Sequence, residues 1–281
     1  MADPGVTARI AGGMVRVEQI MGTAVGIDVR DPWIRTSAID HVFAYLRSVD
    51  QRFSTYRYDS EINRLARGDL ELTDCSLDVR QVLVLCDQLH ATTEGYFDAR
   101  AHRADGRFDP TGVVKGWAID EAAWMLDAVG ARNFAINAGG DIVARGQPER
   151  GRGWRVGVRH PEHRDKVAAV VEIRDSAVAT SATYERGAHI LDPHVSRPAD
   201  GLLSFTVVGP SLTYADAYAT AGFAMGREGV AWAARQPDYG AYAITLDHRA
   251  VWTALVDELI APPVKQPSRA DGPTPPGPGG T

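Results

Sequence analysis

The chain has 281 residues, which is long enough to bury a substantial core as one large domain or two packed ones. Its net charge of −6 argues against nucleic-acid binding, which normally brings a basic excess. Two cysteines, Cys75 and Cys86, cannot build a disulfide framework, and both thiols fit a reducing cytosol.

The two ends of the chain differ in composition from the part between them. Residues 1–18 contain no apolar run typical of a signal peptide and are predicted to form a flexible leader. Residues 261–281 are rich in proline and glycine and are predicted to be a disordered tail. The folded domain is therefore expected over residues 19–260. No stretch approaches the roughly 20 apolar residues of a membrane span, so we expect no membrane anchor.

The first predicted elements are a strand over residues 20–29 and a helix capped by Ser37. The apolar positions of that helix recur at helical spacing, at Ile39, Val42, Phe43, Leu46 and Val49. A polar turn with exposed aromatic residues precedes a short helix near Ser60. Tyr56 in this turn is either a surface aromatic or a ring that stacks on a planar ligand. Ser76 is predicted to cap a second amphipathic helix, with Cys86 in the core.

The segment from Phe108 to Asp120, FDPTGVVKGWAID, carries one lysine between two glycines. An Asp-Pro turn leads into it, and a helix is predicted to begin near Lys115. Glycine lets a backbone come close to a ligand, and a helix N-terminus offers N–H groups to an anion. Lys115 is therefore suited to a phosphate, although an ordinary loop–helix junction with an exposed lysine explains the segment equally well.

The second half is predicted to be mainly strands. A hairpin turns at residues 139–140, and Asp141 directly after it could meet a ligand, although the hairpin alone explains the glycines. His160 and His163 lie in a charged turn that we interpret as a solvated loop rather than a metal site. His189 stands just before a rigid Asp-Pro corner. The remaining strands are predicted at residues 154–158, 167–173, 177–181, 203–208 and 241–246.

Asp216 and Thr220 lie four residues apart in a predicted helix, so they share one face of it. The rest of that face is alanine, and both side chains offer oxygen. Such a pair is either a buried hydrogen-bonded pair or part of a site for Mg²⁺, which binds oxygen ligands and completes its shell with phosphates. The P-loop, the GxGxxG dinucleotide motif, GxSxG and HExxH do not occur in the sequence.

Taken together, these features are typical of a site for a Mg²⁺-bound phosphate ester that carries a planar ring. Their order along residues 21–226 also resembles that of the ApbE flavin transferases, the FAD:protein FMN transferases. The resemblance is carried by FSTYRYDSEINRL, EGYFD, DPTGVVKGWAID, NAGGDI, VATS, HILDP and ADAYATAGFAMG.

The resemblance implies an α+β fold with mixed, mostly antiparallel sheets and flanking helices around a central FAD cleft. It places FAD against Met21, Tyr56, Tyr96, Phe97, Asp98, Asp109, Lys115 and Leu191. It also implies that Mg²⁺ is held by the side chains of Asp216 and Thr220. The third oxygen would come from the backbone carbonyl of Gly112, since glycine has no side chain to offer.

The implied reaction transfers FMN from FAD to a threonine hydroxyl of an acceptor flavoprotein and releases AMP. Lys115 would add positive charge near the phosphates or the flavin, and His189 would accept the threonine proton. Alternatively, His189 is only bonded to the Asp-Pro corner. Residues 192–196 read DPHVS where the family has DP-x-T-G, and the segment between Asp98 and Asp109 is short. These departures lie where an acceptor would approach. They leave two alternatives open, an FAD pyrophosphatase and a non-catalytic FAD-binding protein. The lipoprotein signal common in the family is also missing, which implies a cytoplasmic form.

Overall fold

The structure is a computed structural model that describes residues 6–10, 13–100, 108–163, 165–183 and 190–262. Its helices are α1 (Thr36–Phe53), α2 (Glu61–Arg67), α3 (Leu77–Thr92), α4 (Thr111–Ala128), α5 (Leu212–Ala224), α6 (Glu228–Ala233) and α7 (Ala254–Leu259). Its strands are β1 (Val6–Ile10), β2 (Gly13–Ile20), β3 (Thr23–Val29), β4 (Phe134–Ala138), β5 (Asp141–Arg145), β6 (Trp154–Arg159), β7 (Val167–Ile173), β8 (Ser176–Ala182), β9 (Leu191–Asp192), β10 (Arg197–Pro198), β11 (Leu202–Gly209), β12 (Gly240–Thr245) and β13 (Ala250–Trp252).

A nine-stranded sheet organises the fold, in the order β1-β2-β3-β4-β5-β8-β11-β12-β13. Every described pairing in it is antiparallel. One face packs against α1, α4 and α5 in the main core. The other face packs against the β6–β7 hairpin and α7 in a second apolar cluster. The predicted α+β class with a mostly antiparallel sheet and flanking helices is confirmed.

The N-terminal boundary predicted from the sequence is wrong. Residues 13–18 are not a flexible leader, because they belong to β2, which pairs along β3. The predicted single strand over residues 20–29 is interrupted by a tight turn in which Met21 has φ 55° and Gly22 has φ 72°. Positive φ at both central residues is the geometry of a type I′ hairpin turn.

Strand β2 does not show the alternation of apolar and polar residues expected of a half-buried strand, because charged side chains occupy positions on its inward face. Glu18 is only 6 % exposed, and Arg16 and Arg47 both form ion pairs with it. The guanidinium of Arg16 also lies 5.0 Å from the centre of the Phe43 ring. A buried charge is tolerated when it is paired in this way, so these positions face the core without looking apolar.

Three predicted helices agree with the structure. The five apolar positions predicted for the core side of α1 are all buried. Ser60 and Ser76 cap α2 and α3, since their hydroxyls accept the N–H groups of Asn63 and Val79. The predicted Ser37 cap is wrong, because α1 begins at Thr36 and its capping residue is Arg35.

The described part of the chain ends just after α7, where the Ala261 N–H donates to the Val170 carbonyl at 2.8 Å. Residues 263–281 of the predicted tail lie outside the described residues. Among the helices that the structure describes, none has the length and apolar character needed to cross a bilayer.

Both thiols lie in the core, which confirms the prediction for Cys86. Cys75 is 4 % exposed and Cys86 is 3 % exposed. Burial raises the pKa of the Cys86 thiol to about 12 and also raises that of Cys75. Because the thiolate is the reactive form, the folded protein at pH 8 should react with Ellman's reagent more than about tenfold slower than the chain unfolded in guanidinium. Equal labelling rates in the two states would contradict this burial.

Candidate active site at one end of the sheet

Three segments of the chain meet at one end of the nine-stranded sheet. The antiparallel register places the Met21–Gly22 turn, the Gly139–Gly140 turn and the Thr180–Ser181 end of β8 on the same side. Gly139 has φ 66°, and a Cβ atom at this position would lie 2.5 Å from Thr23 Oγ1. Glycine is therefore required for the two hairpin turns to pack against each other.

Helix α4 brings Lys115 to this end of the sheet. The helix begins at Thr111, one turn earlier than predicted, so Lys115 lies in its second turn. Asp109 caps the start, since its Oδ1 accepts the Thr111 N–H at 3.0 Å and the Thr111 hydroxyl at 2.7 Å. At Gly116 a Cβ atom would lie 2.8 Å from the Leu212 carbonyl oxygen. The missing side chain therefore lets α4 and α5 pack with their backbones close together.

Lys115 lies between two buried carboxylates. Its ammonium forms an ion pair with Asp141, at the start of β5, and lies 3.5 Å from Oδ2 of Asp216 on α5. The side chain of Lys115 is 32 % exposed, whereas those of Asp141 and Asp216 are 6 % and 12 % exposed. In so buried a place the attraction between opposite charges is much stronger than in water. Helix α4, helix α5 and strand β5 thus converge on one charged centre.

Asp141 is a site residue for which the sequence left two readings open. The structure turns its carboxylate inward, where Oδ1 accepts the Thr180 N–H at 3.0 Å and Oδ2 pairs with Lys115. The glycine pair before it explains the hairpin but not a buried acid. An acidic residue at an inward strand position is the sequence signal that could have pointed to a functional role.

Asp216 and Thr220 share one face of α5, as the sequence predicted. Asp216 is 8 % exposed, and the Thr220 hydroxyl lies 3.3 Å from the Ser181 hydroxyl at the end of β8. The structure therefore adds Ser181 to the oxygen-bearing side chains near this pair.

These side-chain oxygens are of the type that suits a hard cation such as Mg²⁺. Within the described ranges, no group of three or more His, Cys, Asp or Glu side chains is placed to hold a metal ion. Mg²⁺ does not require such a group, because it commonly uses one or two carboxylates and completes its octahedral shell with water and substrate phosphates. Asp216 and Thr220 would supply the side-chain oxygens, and Asp141 would add negative charge nearby.

Gly112, predicted to contribute a carbonyl oxygen, lies in the first turn of α4. A Cβ atom there would lie 3.3 Å from Cε2 of Phe97. Phe97 itself is buried, and its N–H donates to the Thr93 hydroxyl at 2.9 Å. The glycine thus also lets the buried Phe97 ring pack against the start of α4.

The other residues predicted to contact FAD are spread around this region. The ring of Tyr96 packs edge-on against His194 with the ring centres 4.4 Å apart, and burial raises the pKa of its phenol. Leu191 lies in β9, paired with Pro198. Asp98 lines an open cavity of about 390 Å³, together with His90, Ala91, Glu94, Gly95, Pro193 and His194.

Tyr56 stands on an organised turn although its ring is 98 % exposed. The side-chain amide of Asn63 donates to the carbonyls of Ser54, Thr55 and Arg57 at 3.3, 2.9 and 2.8 Å. The turn thus holds Tyr56 in solvent, available to a planar ligand. His189, the predicted proton acceptor, lies outside the described residues.

The fold and this charged centre define the class of the protein. It is an α+β protein whose sheet end carries an ammonium, buried carboxylates and hydroxyls suited to a phosphate group and a hard cation. The model described as the ApbE family matches residues 21–105 and 99–243. The chain belongs to the ApbE family.

Curated relatives agree with this assignment. The FAD:protein FMN transferase of Vibrio cholerae is 31 % identical over 173 residues, which cover 58 % of this chain and 51 % of that protein. The enzyme of the same name from Haemophilus influenzae is 23 % identical over 267 residues, or 73 % of this chain and 77 % of that one. The chain spans about half the length of the Vibrio cholerae relative.

Solved structures share the fold. The flavin transferase ApbE from Vibrio cholerae superposes with a TM-score of 0.76 at 22 % identity, covering 91 % of this chain and all (100 %) of that one. The ApbE protein from Thermotoga maritima gives a TM-score of 0.79 at 20 % identity, covering 89 % and 100 % of the two chains.

Proposed function

We propose that this protein is a Mg²⁺-dependent transferase that moves FMN from FAD to a threonine hydroxyl of an acceptor flavoprotein, releasing AMP. The observation that carries the proposal is the charged centre in which Lys115 of α4 meets Asp141 and Asp216. Membership of the ApbE family and relatives named FAD:protein FMN transferases support the choice of FAD as substrate.

The proposed step exchanges one oxygen for another at the FMN phosphorus. A bond forms between the threonine oxygen and this phosphorus, and the bond from the phosphorus to the bridging oxygen breaks. AMP leaves with the bridging oxygen and its electron pair. The threonine proton passes to a base, for which His189 is the candidate because imidazole titrates near neutral pH.

The residues of the charged centre hold and orient the reacting group. Lys115 offers an ammonium to the pyrophosphate, whose charge must be offset while one phosphorus is attacked. Asp216 and Thr220, with the Gly112 carbonyl, would hold Mg²⁺. When bound, the ion would polarise the phosphoryl oxygens as a Lewis acid.

The remaining predicted contacts would bind the rest of FAD. Tyr56 offers an exposed ring on a fixed turn. Met21 lies in the neighbouring hairpin turn, Asp109 lies just before α4, and Leu191 lies in β9. The segment from Tyr96 to Asp98 would form a further wall. A cytoplasmic location stays a prediction.

The test is a stoichiometric assay of AMP and covalent flavin. The full chain is incubated with FAD, Mg²⁺ and a protein known to carry FMN on threonine. We expect AMP in amounts equal to covalently fluorescent acceptor, and neither product after chelation with EDTA. AMP released at the same rate without any acceptor would instead identify an FAD pyrophosphatase. FAD binding without AMP at any Mg²⁺ concentration would identify a non-catalytic FAD-binding protein.

A further inference from the structure

The two carboxylates beside Lys115 are not equivalent. Its ammonium forms ion pairs with both, but it lies closer to Asp141 than to Oδ2 of Asp216, which is 3.5 Å away. Asp216 is also the carboxylate to which the proposed function assigns the metal. A lysine ammonium and a divalent cation would therefore compete for the same buried oxygen atoms.

Asp141 is fixed much more firmly than the lysine that it contacts. It stands at the first position of β5, opposite Ala138 across the hairpin, and its Oδ1 accepts the Thr180 N–H at 3.0 Å. Lys115 instead reaches the centre on a flexible four-carbon stem. The carboxylate held by backbone pairing therefore determines where the ammonium lies.

We propose that Asp141 is a positioning residue that draws the Lys115 ammonium toward itself, and so weakens the competition of Lys115 with a divalent cation for Asp216. This inference rests on the assignment of Asp216 to the metal in the proposed function. Without the charge on Asp141, the ammonium moves onto Asp216 and opposes metal binding. When Asp141 is charged, the ammonium and the metal ion occupy neighbouring positions, and both can contact the same pyrophosphate.

The decisive variant is Asp141→Asn. Asparagine keeps an oxygen that can accept the Thr180 N–H, so the strand contact is retained while the charge is removed. Mn²⁺ is titrated into the purified full chain, without FAD or acceptor, and the free ion is followed by electron paramagnetic resonance. We expect the variant to bind Mn²⁺ about tenfold more weakly than the wild-type chain.

A second substitution separates positioning from a general structural role. In the Asp141→Asn background, Lys115→Met removes the competing ammonium and should restore Mn²⁺ affinity to within about threefold of wild type. If Asp141 only maintained the shape of the site, the double variant would bind as weakly as Asp141→Asn alone. Asp141→Glu, which keeps the charge, should also stay within about threefold of wild type.

Asp31→Asn is the matched control for a buried aspartate. Asp31 is 3 % exposed, its carboxylate accepts the Asn133 N–H at 2.8 Å, and it follows β3 at the opposite end of the sheet. Its Mn²⁺ affinity should equal that of the wild-type chain.

The outcomes separate this inference from the proposed function. Unchanged Mn²⁺ affinity in Asp141→Asn, or no recovery in the double variant, overturns the positioning role while leaving the AMP assay unaffected. Failure of the wild-type chain to bind Mn²⁺ overturns the inference together with the metal assignment on which it rests.

Discussion

Asp216→Asn is expected to lower the rate of AMP release from FAD by roughly a hundredfold to a thousandfold. The substitution removes the charged metal-binding oxygen from α5 while almost preserving the volume of the side chain. The variant should remain folded, because Lys115 keeps its ion pair with Asp141. The rate is measured by chromatography of AMP with the acceptor protein present, at saturating FAD and Mg²⁺, and folding is measured by circular dichroism.

Asp31→Asn again supplies the control, since it replaces a buried aspartate far from the charged centre. It should alter stability without altering the rate of AMP release. Wild-type rates in Asp216→Asn would rule out the metal assignment. An unfolded Asp216→Asn chain would instead favour the reading of Asp216 and Thr220 as a structural pair.

Asp120→Ala should reduce the free energy of unfolding by about 3 kcal/mol, more than the loss of an ordinary helix cap. Helix α5 has no cap from the Ser211 side chain. Asp120 on α4 replaces it, accepting the N–H groups of Leu212 and Thr213 at 3.0 and 2.8 Å and the Ser211 hydroxyl at 2.7 Å. Removing the carboxylate leaves these donors unpaired. It also removes a negative charge from a helix N-terminus, where such a charge is stabilising. Urea unfolding followed by circular dichroism measures the change.

Ser76→Ala provides the comparison, because it removes an ordinary cap from α3 and should cost about 1 kcal/mol. Asp120→Asn, which keeps one acceptor oxygen, should fall between the two variants. If Asp120→Ala were no more destabilising than Ser76→Ala, the carboxylate would not fix α4 against α5 as we describe.

Local patterns were sufficient to predict most of the fold. The apolar spacing of α1 and the serine caps of α2 and α3 are read from a few neighbouring residues, and all three helices are present. Strand β2 was missed because its inward positions include Arg16 and Glu18, which form an ion pair in which Glu18 is buried. Its partner Arg47 comes from α1, so no local pattern could reveal the compensation.

The placement of candidate site residues was predictable where they share one element. Asp216 and Thr220 were expected on one face because four residues separate them on one helix. Contacts between distant segments were not accessible in the same way. Asp120 caps a helix that begins 92 residues later, and Asp141 meets Lys115 only after β5 and α4 have packed. Whether Asp141 only follows a hairpin turn or also belongs to a ligand site could therefore be decided only from the packing of β5 and α4.

The most direct test of the account is the anomalous diffraction of Mn²⁺ in crystals of the full chain grown with FAD. Mn²⁺ has the same preference for oxygen ligands as Mg²⁺ and can be located by its anomalous signal. We predict one peak bonded to oxygens of Asp216 and Thr220, with the FAD pyrophosphate between the ion and Lys115. A pyrophosphate bound away from the α4–α5 contact, or an ion held by other residues, would contradict it.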